Sequence, residues 1–242
     1  MSAVTSTGQS LAASGLIFTY PEAGKGRMTA VNIARLEARP GSVTALAGPS
    51  GSGKSTLLYL LSGLMRPDAG SIRWNGDDLA KLGEARRDAW RRRNAGFVFQ
   101  NFHLIEEMGP EDNVLVGGWF SHWSVRGLRR RAAELLDRLE VPRERTRVAL
   151  LSRGEQQRVA IARALLFDPP VIFADEPTAS LDAAAGHNVV ATLRRLAAEE
   201  GKTVICASHD ADLLGACDRV VRIDHGRIAA AELRPEMAEQ AS

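Results

Sequence analysis

The stretch Gly48-Pro49-Ser50-Gly51-Ser52-Gly53-Lys54-Ser55 fits the phosphate-binding pattern G-x-x-x-x-G-K-[ST] at every fixed position. It is preceded by the apolar run Val43-Thr-Ala-Leu-Ala47, which reads as a buried strand. The run Thr56-Leu-Leu-Tyr-Leu-Leu-Ser62 that follows reads as a helix. Strand, loop and helix in that order are the setting the pattern needs. The glycines let backbone N–H groups turn toward phosphates, and the helix N-terminus adds the positive end of its dipole. Lys54 is placed to reach the β- and γ-phosphates and the Ser55 hydroxyl to bind Mg²⁺. A glycine-rich turn that only capped a helix would have no use for Lys-Ser at the helix start. The loop predicts a nucleoside triphosphate site.

Outward from the loop, Leu16-Ile-Phe-Thr-Tyr20 and Val31-Asn-Ile-Ala-Arg-Leu36 read as strands, and Pro40-Gly41 as the turn into the loop's own strand. Downstream, Gly63 and Pro67 stop the first helix. A short strand follows at Gly70 to Trp74, a charged helix from Glu84 to Arg93, and an apolar strand from Gly96 to Phe99. Residues 101–140 differ in character: they hold Gly117-Gly-Trp-Phe-Ser-His-Trp123 and a helix from Arg129 to Leu139. Thereafter helix (155–167), strand (171–174), helix (184–200), strand (203–207) and a last strand near Val220 to Ile223 alternate. Alternation of this kind predicts an α/β fold with a mainly parallel sheet covered on both faces. Residues 1–14 and 231–242 are expected to be tails around a single domain spanning 15–230.

The strand Val171-Ile-Phe-Ala-Asp-Glu176 ends in two carboxylates, at the strand end where ligands bind in open α/β sheets. Asp175 suits the Mg²⁺ shell and Glu176 the polarisation of an attacking water. Alone, the pair could equally cap the next helix; with a phosphate loop in the same chain the chemical reading gains weight. Between the two elements stands Leu151-Ser152-Arg153-Gly154-Glu155-Gln156, followed by an arginine-rich helix. Ser152 is positioned to N-cap that helix, whose free N–H groups can meet a phosphate.

These motifs and their order resemble the ABC-type ATPases. The phosphate loop, Gln100 after a strand, the Leu-Ser-x-Gly-Glu-Gln signature, Asp175-Glu176, Ser180-Leu-Asp182 and His209 after a strand follow one another as they do there. The resemblance runs from about Gly15 to Ile228. It implies a P-loop NTPase (RecA-like) core, an N-terminal antiparallel β-subdomain and a helical subdomain inserted at 101–165. It also implies two copies that sandwich two ATP molecules head to tail, the signature of each (Ser152, Arg153, Gly154, Glu155) meeting the ATP on the other's loop. Position by position, Tyr20 resembles the aromatic residue that stacks on adenine, the alternative being an edge-strand Tyr. Nucleotide contacts fall on Gly48 through Thr56, and Gln100 resembles the residue that touches Mg²⁺ and senses the transport partner. Glu176 looks like the general base, His209 like the γ-phosphate contact that holds the water, and Ser180 and Asp182 like the loop that communicates across the dimer. Arg153 stands where many members have Gly. Gly154, where the backbone must approach the phosphate, is retained, so both sites are expected to hydrolyse ATP.

Composition fits this picture. The chain has 242 residues, 45% hydrophobic and 25% charged, enough to bury a sizeable core. A net charge of +2 with 5% aromatics gives no sign of a nucleic-acid partner. Cys206 and Cys217 have neither zinc spacing nor a disulfide framework, and Cys206 reads as a buried thiol. No apolar stretch approaches the roughly 18 residues that span a bilayer, and residues 1–14 lack the pattern of a signal peptide. The expectation is a cytoplasmic protein, held at the inner face of a bacterial membrane through a separate transmembrane permease subunit implied by the resemblance. That partner's groove is expected near residues 101–116. Trp119, Phe120 and Trp123 are expected in the core of the helical subdomain, the alternative being that Trp119 or Trp123 contacts the partner. Arg91-Arg-Arg93 and Arg129-Arg-Arg131 read as solvated helix faces, with anionic headgroups as the alternative. His103, His122, His187 and His225 show no metal-ligand spacing and read as structural or surface residues.

Within the family, the signature helix and Phe97-Val-Phe-Gln100 look most like the lipoprotein-releasing and macrolide-exporter ATPases, with amino-acid importer ATPases and soluble non-transport relatives as alternatives. Chromosome-maintenance ATPases separate the two halves by long coiled coils, which the short interval from Ser55 to Leu151 excludes. Translation-factor relatives carry two ATPase units, and a P-loop kinase would lack the signature helix.

Overall fold

The computed structural model describes residues 8–22, 24, 26–118 and 125–233. Trp119, Phe120, His122 and Trp123 lie outside the described residues.

A six-stranded sheet forms the centre. Its strands, in spatial order, are β10 (Arg227–Leu233), β9 (Arg219–Asp224), β3 (Val43–Ala47), β8 (Thr203–Ser208), β7 (Val171–Asp175) and β6 (Ala95–Val98). All neighbours run parallel except β10, which returns antiparallel on β9. A second, antiparallel sheet holds β2 (Gly26–Ala38), β1 (Leu11–Glu22), β4 (Ala69–Trp74) and β5 (Asp77–Asp78). The parallel strands are buried on both faces, which is why they read as unbroken apolar runs. In β7 the side chains alternate between two cores. Ile172 and Ala174 face α5 (Arg153–Leu165) and α6 (Ala183–Ala198). Val171 and Phe173 face α1 (Lys54–Leu61), which lies between the two sheets. Phe173 packs edge-on to Trp74 at 5.7 Å and stacks with Phe97 at 5.4 Å, joining the sheets through one side chain. On the other side of the strands, α3 (Pro110–Leu115), α4 (Val125–Arg138) and α5 pack on one another, and α5 also packs on β6.

Two tails are shorter than expected. β1 begins at Leu11, five residues before the Leu16 strand read from sequence, so residues 11–14 are strand and not tail. Leu11 and Ala13 are buried at odd positions and Leu16 at an even one. Gly15, at φ 59°, takes the left-handed backbone at this change of phase, and the pairing with β4 shifts there. At the other end β10 carries the chain to Leu233, so Ala231 is paired where a tail is expected. Of the other helices, α2 (Glu84–Asn94) leads into β6 and α7 (Ala211–Ala216) follows β8.

Candidate nucleotide site

The loop 48–53 joins the end of β3 to the start of α1. Two of its glycines have no substitute. Gly48 (φ 154°) would drive a Cβ into the Ile223 carbonyl oxygen, and Gly53 (φ 101°) would bring one 2.5 Å from the Ala30 carbonyl oxygen. Lys54 is buried, and its Nζ donates to the carbonyls of Gly48 at 2.9 Å and Pro49 at 3.0 Å. The loop is thereby curled over its own lysine. One residue on, Ser55 Oγ donates to Asp175 Oδ1 at 2.8 Å, and Tyr59 OH donates to Oδ2 at 2.7 Å. Burial, then the bonded Asp175 carboxylate, pushes the Tyr59 phenol well above its ordinary range, so this hydroxyl keeps its proton. Asp175 is thus fixed by two hydroxyls on one face of α1.

Glu176 follows at φ 46°, its N–H donating to the Ala207 carbonyl at 2.9 Å across the strand end. Its side chain is largely buried. Oε1 lies 3.7 Å from Lys54 Nζ, and His209 Nδ1 is 3.0 Å from Oε2. His209 leaves β8, and the residue after it anchors the turn: Asp210 Oδ2 accepts from Thr178 Oγ1 at 2.6 Å while Oδ1 caps α7 through Asp212 N–H. Burial pushes the Asp210 carboxyl up, but these bonds together outweigh it and hold it below the ordinary carboxylate range. The carboxylate–imidazole pair of Glu176 and His209 is therefore held from both strands.

These groups open on a cavity of 750 Å³, large enough for a nucleotide. Tyr20, Pro49, Ser50, Gly51, Thr56 and Gln100 line it together with Gly53, Lys54, Ser55, Glu176 and His209. Gly48, Ser52 and Asp175 stand behind this wall. Tyr20 lies near the end of β1, past its last pair with β4 (Ile17 with Ala69) and paired only with β2, with its hydroxyl 3.2 Å from Thr56 Oγ1 and its ring edge-on to Phe18. The cavity thus has an aromatic end, a backbone-amide and lysine floor, and a carboxylate–histidine end.

Ser152, Arg153, Gly154, Glu155, Ser180 and Asp182 do not line it. Ser152 caps α5 in a reciprocal box: its Oγ accepts from Glu155 N–H at 3.3 Å, and its own N–H donates to Glu155 Oε2 at 2.7 Å. That bond from the Ser152 N–H is the main reason the Glu155 carboxyl sits below its ordinary range. The folded pKa being lowered, the cap stabilises above the usual carboxylate range and weakens as pH falls through it. Ser152→Ala is expected to cost about 1 kcal/mol, read as a lower midpoint in urea unfolding. Arg153 lays its guanidinium 4.6 Å from the Phe102 ring centroid. Gly154 packs closely on α6: a Cβ there would lie 3.0 Å from Ala185 Cβ, so α6 would have to give by a few tenths of an ångström. Asp182 caps α6 through Ala185 N–H at 2.8 Å.

Several residues of the site are not among those the sequence predicts. Tyr59 is one turn beyond Ser55, and that i,i+4 spacing could have found it. Met28, Thr29, Ala30, His225 and Gly226 also line the cavity. They come from β2 and the β9–β10 turn, brought in by sheet packing that no local pattern announces.

Residues 31–179 match the family described as ABC transporter. The chain belongs to the ABC transporter family. It is 40% identical over 215 residues to the lipoprotein-releasing system ATP-binding protein LolD of Cereibacter sphaeroides, covering 88% of this chain and 96% of that protein. It is 43% identical over 212 residues to the macrolide export ATP-binding/permease protein MacB 1/2 of Paracoccus denitrificans, covering 87% of this chain but 31% of that one. Among solved structures it resembles an ATP-binding cassette captured as a dimer in a post-hydrolysis state with ADP and Pi. That likeness has a TM-score of 0.84 and 34% identity, over 92% of this chain and 98% of that one. The chain is an ABC transporter ATPase with the P-loop NTPase fold. No helix among the described residues is long and apolar enough to cross a membrane.

Proposed function

We propose that this ABC ATPase powers a separate transmembrane permease of the lipoprotein-releasing or macrolide-exporting type from the inner face of the membrane. The observation that carries this is a 40% match spanning 96% of a protein named as a lipoprotein-releasing system ATP-binding protein. We assign residues 11–233 to one ATPase domain, with α3, α4 and α5 as its helical insert.

In this reading Tyr20 stacks on adenine and the amides of residues 48–56 cradle the phosphates. Lys54 takes the β- and γ-phosphates. Ser55, Asp175 and Gln100 would hold Mg²⁺, which screens phosphate charge when bound. The fit is chemical: the Ser55 hydroxyl, the Asp175 carboxylate bonded to it and the Gln100 amide offer oxygen donors, which suit an ion that also uses substrate phosphates. Glu176 takes a proton from the attacking water, and His209, bonded to Glu176, orients water and γ-phosphate. Ser152, Arg153, Gly154 and Glu155, absent from the cavity of their own chain, serve the ATP of a second copy, with Ser180 and Asp182 beside them at the shared interface.

Tyr59→Phe tests the support of the metal ligand. Losing a hydrogen bond to a carboxylate costs about 1.5–3 kcal/mol. The expected result is about 10- to 100-fold weaker Mg²⁺ activation with ATP binding in EDTA unchanged. The transport reading is tested by purifying tagged Glu176→Gln protein from solubilised native membranes with ATP. A stoichiometric permease subunit supports it; ATP-loaded protein free of any membrane subunit contradicts it.

A further inference from the structure

One wall of the cavity comes from the turn between β9 and β10, which the roles above leave unused. Asp224 and Arg227 pair across it, and His225 (φ 45°) and Gly226 (φ 74°) both take left-handed backbone. That is a type I′ hairpin turn, whose first central position favours Asn or Asp. The turn is tied on two sides. Gly226 N–H donates to the Ser52 carbonyl at 2.9 Å, and the Gly226 carbonyl accepts from Asn32 N–H at 2.7 Å. A Cβ on Gly226 would lie 2.5 Å from the Ala30 carbonyl oxygen, so turn, phosphate loop and β2 meet without slack. The backbone at His225 is therefore held at the lip of the cavity, which the residue lines along with Tyr20 and Lys54, and its side chain is 92% exposed.

The chemistry follows from its neighbour. His225 Nδ1 is 2.8 Å from Asp224 Oδ1. A carboxylate only accepts, so Nδ1 carries the hydrogen, and in the neutral imidazole Nε2 is an acceptor. The phosphates of a nucleotide present acceptors; its donors are the ribose hydroxyls and the adenine amino group, and the base is already taken by Tyr20 in the reading above. We propose that His225 Nε2 accepts a hydrogen bond from a ribose hydroxyl, making this turn the sugar-reading part of the site. The inference rests on the nucleotide reading above.

The test is equilibrium binding of ATP and 2′,3′-dideoxy-ATP at about pH 8 to wild type, His225→Asn and Lys54→Ala. Asn-Gly suits the turn, so the variant keeps its fold while withdrawing the imidazole. Wild type is expected to bind ATP about 2- to 10-fold tighter than the dideoxy analogue, as one net hydrogen bond provides. His225→Asn is expected to bind both alike, at the wild-type affinity for the analogue. A variant that keeps the preference for ATP, or that loses affinity for both ligands by the same factor, overturns the proposal. Wild-type binding that survives Lys54→Ala would instead place the nucleotide elsewhere, and the site reading would fall, taking this inference with it.

Discussion

Glu176→Gln is expected to lower ATP turnover by about 10²- to 10⁴-fold, the range that a positioned general base supplies, while ATP binding persists. The side chain keeps its shape, so what changes is charge and basicity. Glu176 is held by a backbone bond at its own N–H, by His209 at 3.0 Å and by Lys54 at 3.7 Å, so it cannot swing away to be replaced by solvent. An amide at this position no longer accepts a proton from water, and it no longer repels the γ-phosphate. The variant should therefore hold ATP at least as tightly as wild type. Single-turnover hydrolysis within threefold of wild type would remove Glu176 from the chemistry.

Lys54→Ala is expected to weaken ATP binding by about 10- to 100-fold, from the loss of a charge-assisted contact worth about 1.5–3 kcal/mol. Turnover should fall further, because in the proposed role the lost charge also stabilises the transferring phosphoryl group. The effect is not only a missing ligand contact. Lys54 Nζ donates to two loop carbonyls and lies beside the buried Glu176 carboxylate. Removing it uncurls the loop and leaves that carboxylate without its cation. Lys54→Met fills the space without the charge and separates the two contributions. If Met restores thermal stability but not ATP affinity, the charge acts on nucleotide; recovery of affinity with Met would contradict the assigned role.

The parts of this site visible in sequence are those whose residues are near neighbours in the chain. The loop from Gly48 to Ser55 sits between its strand and its helix, and Asp175-Glu176 closes an apolar run. Ser152 and Glu155 carry the spacing of the capping box that the structure forms. His209 stands one residue past β8, which ends at Ser208, one residue beyond the apolar run that announces it. What sequence hid is non-local or out of phase. The start of β1 is not legible because the buried positions change phase at Gly15 and residues 12–14 are small. β10 pairs along one side only, with a register shift between Ile228 and Ala230, so its alternation is broken. His225 reached the cavity because β9 and β10 turn over the phosphate loop, a contact between residues more than 170 positions apart in the chain.

In the proposed mechanism one chain holds only half of a working site, since Ser152 to Glu155 stand apart from the cavity they are assigned to complete. Sedimentation velocity of Glu176→Gln with ATP and Mg²⁺, against the same protein with ADP, tests it most directly. A dimer with ATP that dissociates with ADP is the predicted result, together with its loss when Ser152 is replaced by a bulky Phe. A protein that binds ATP and stays monomeric at every concentration tested would contradict it.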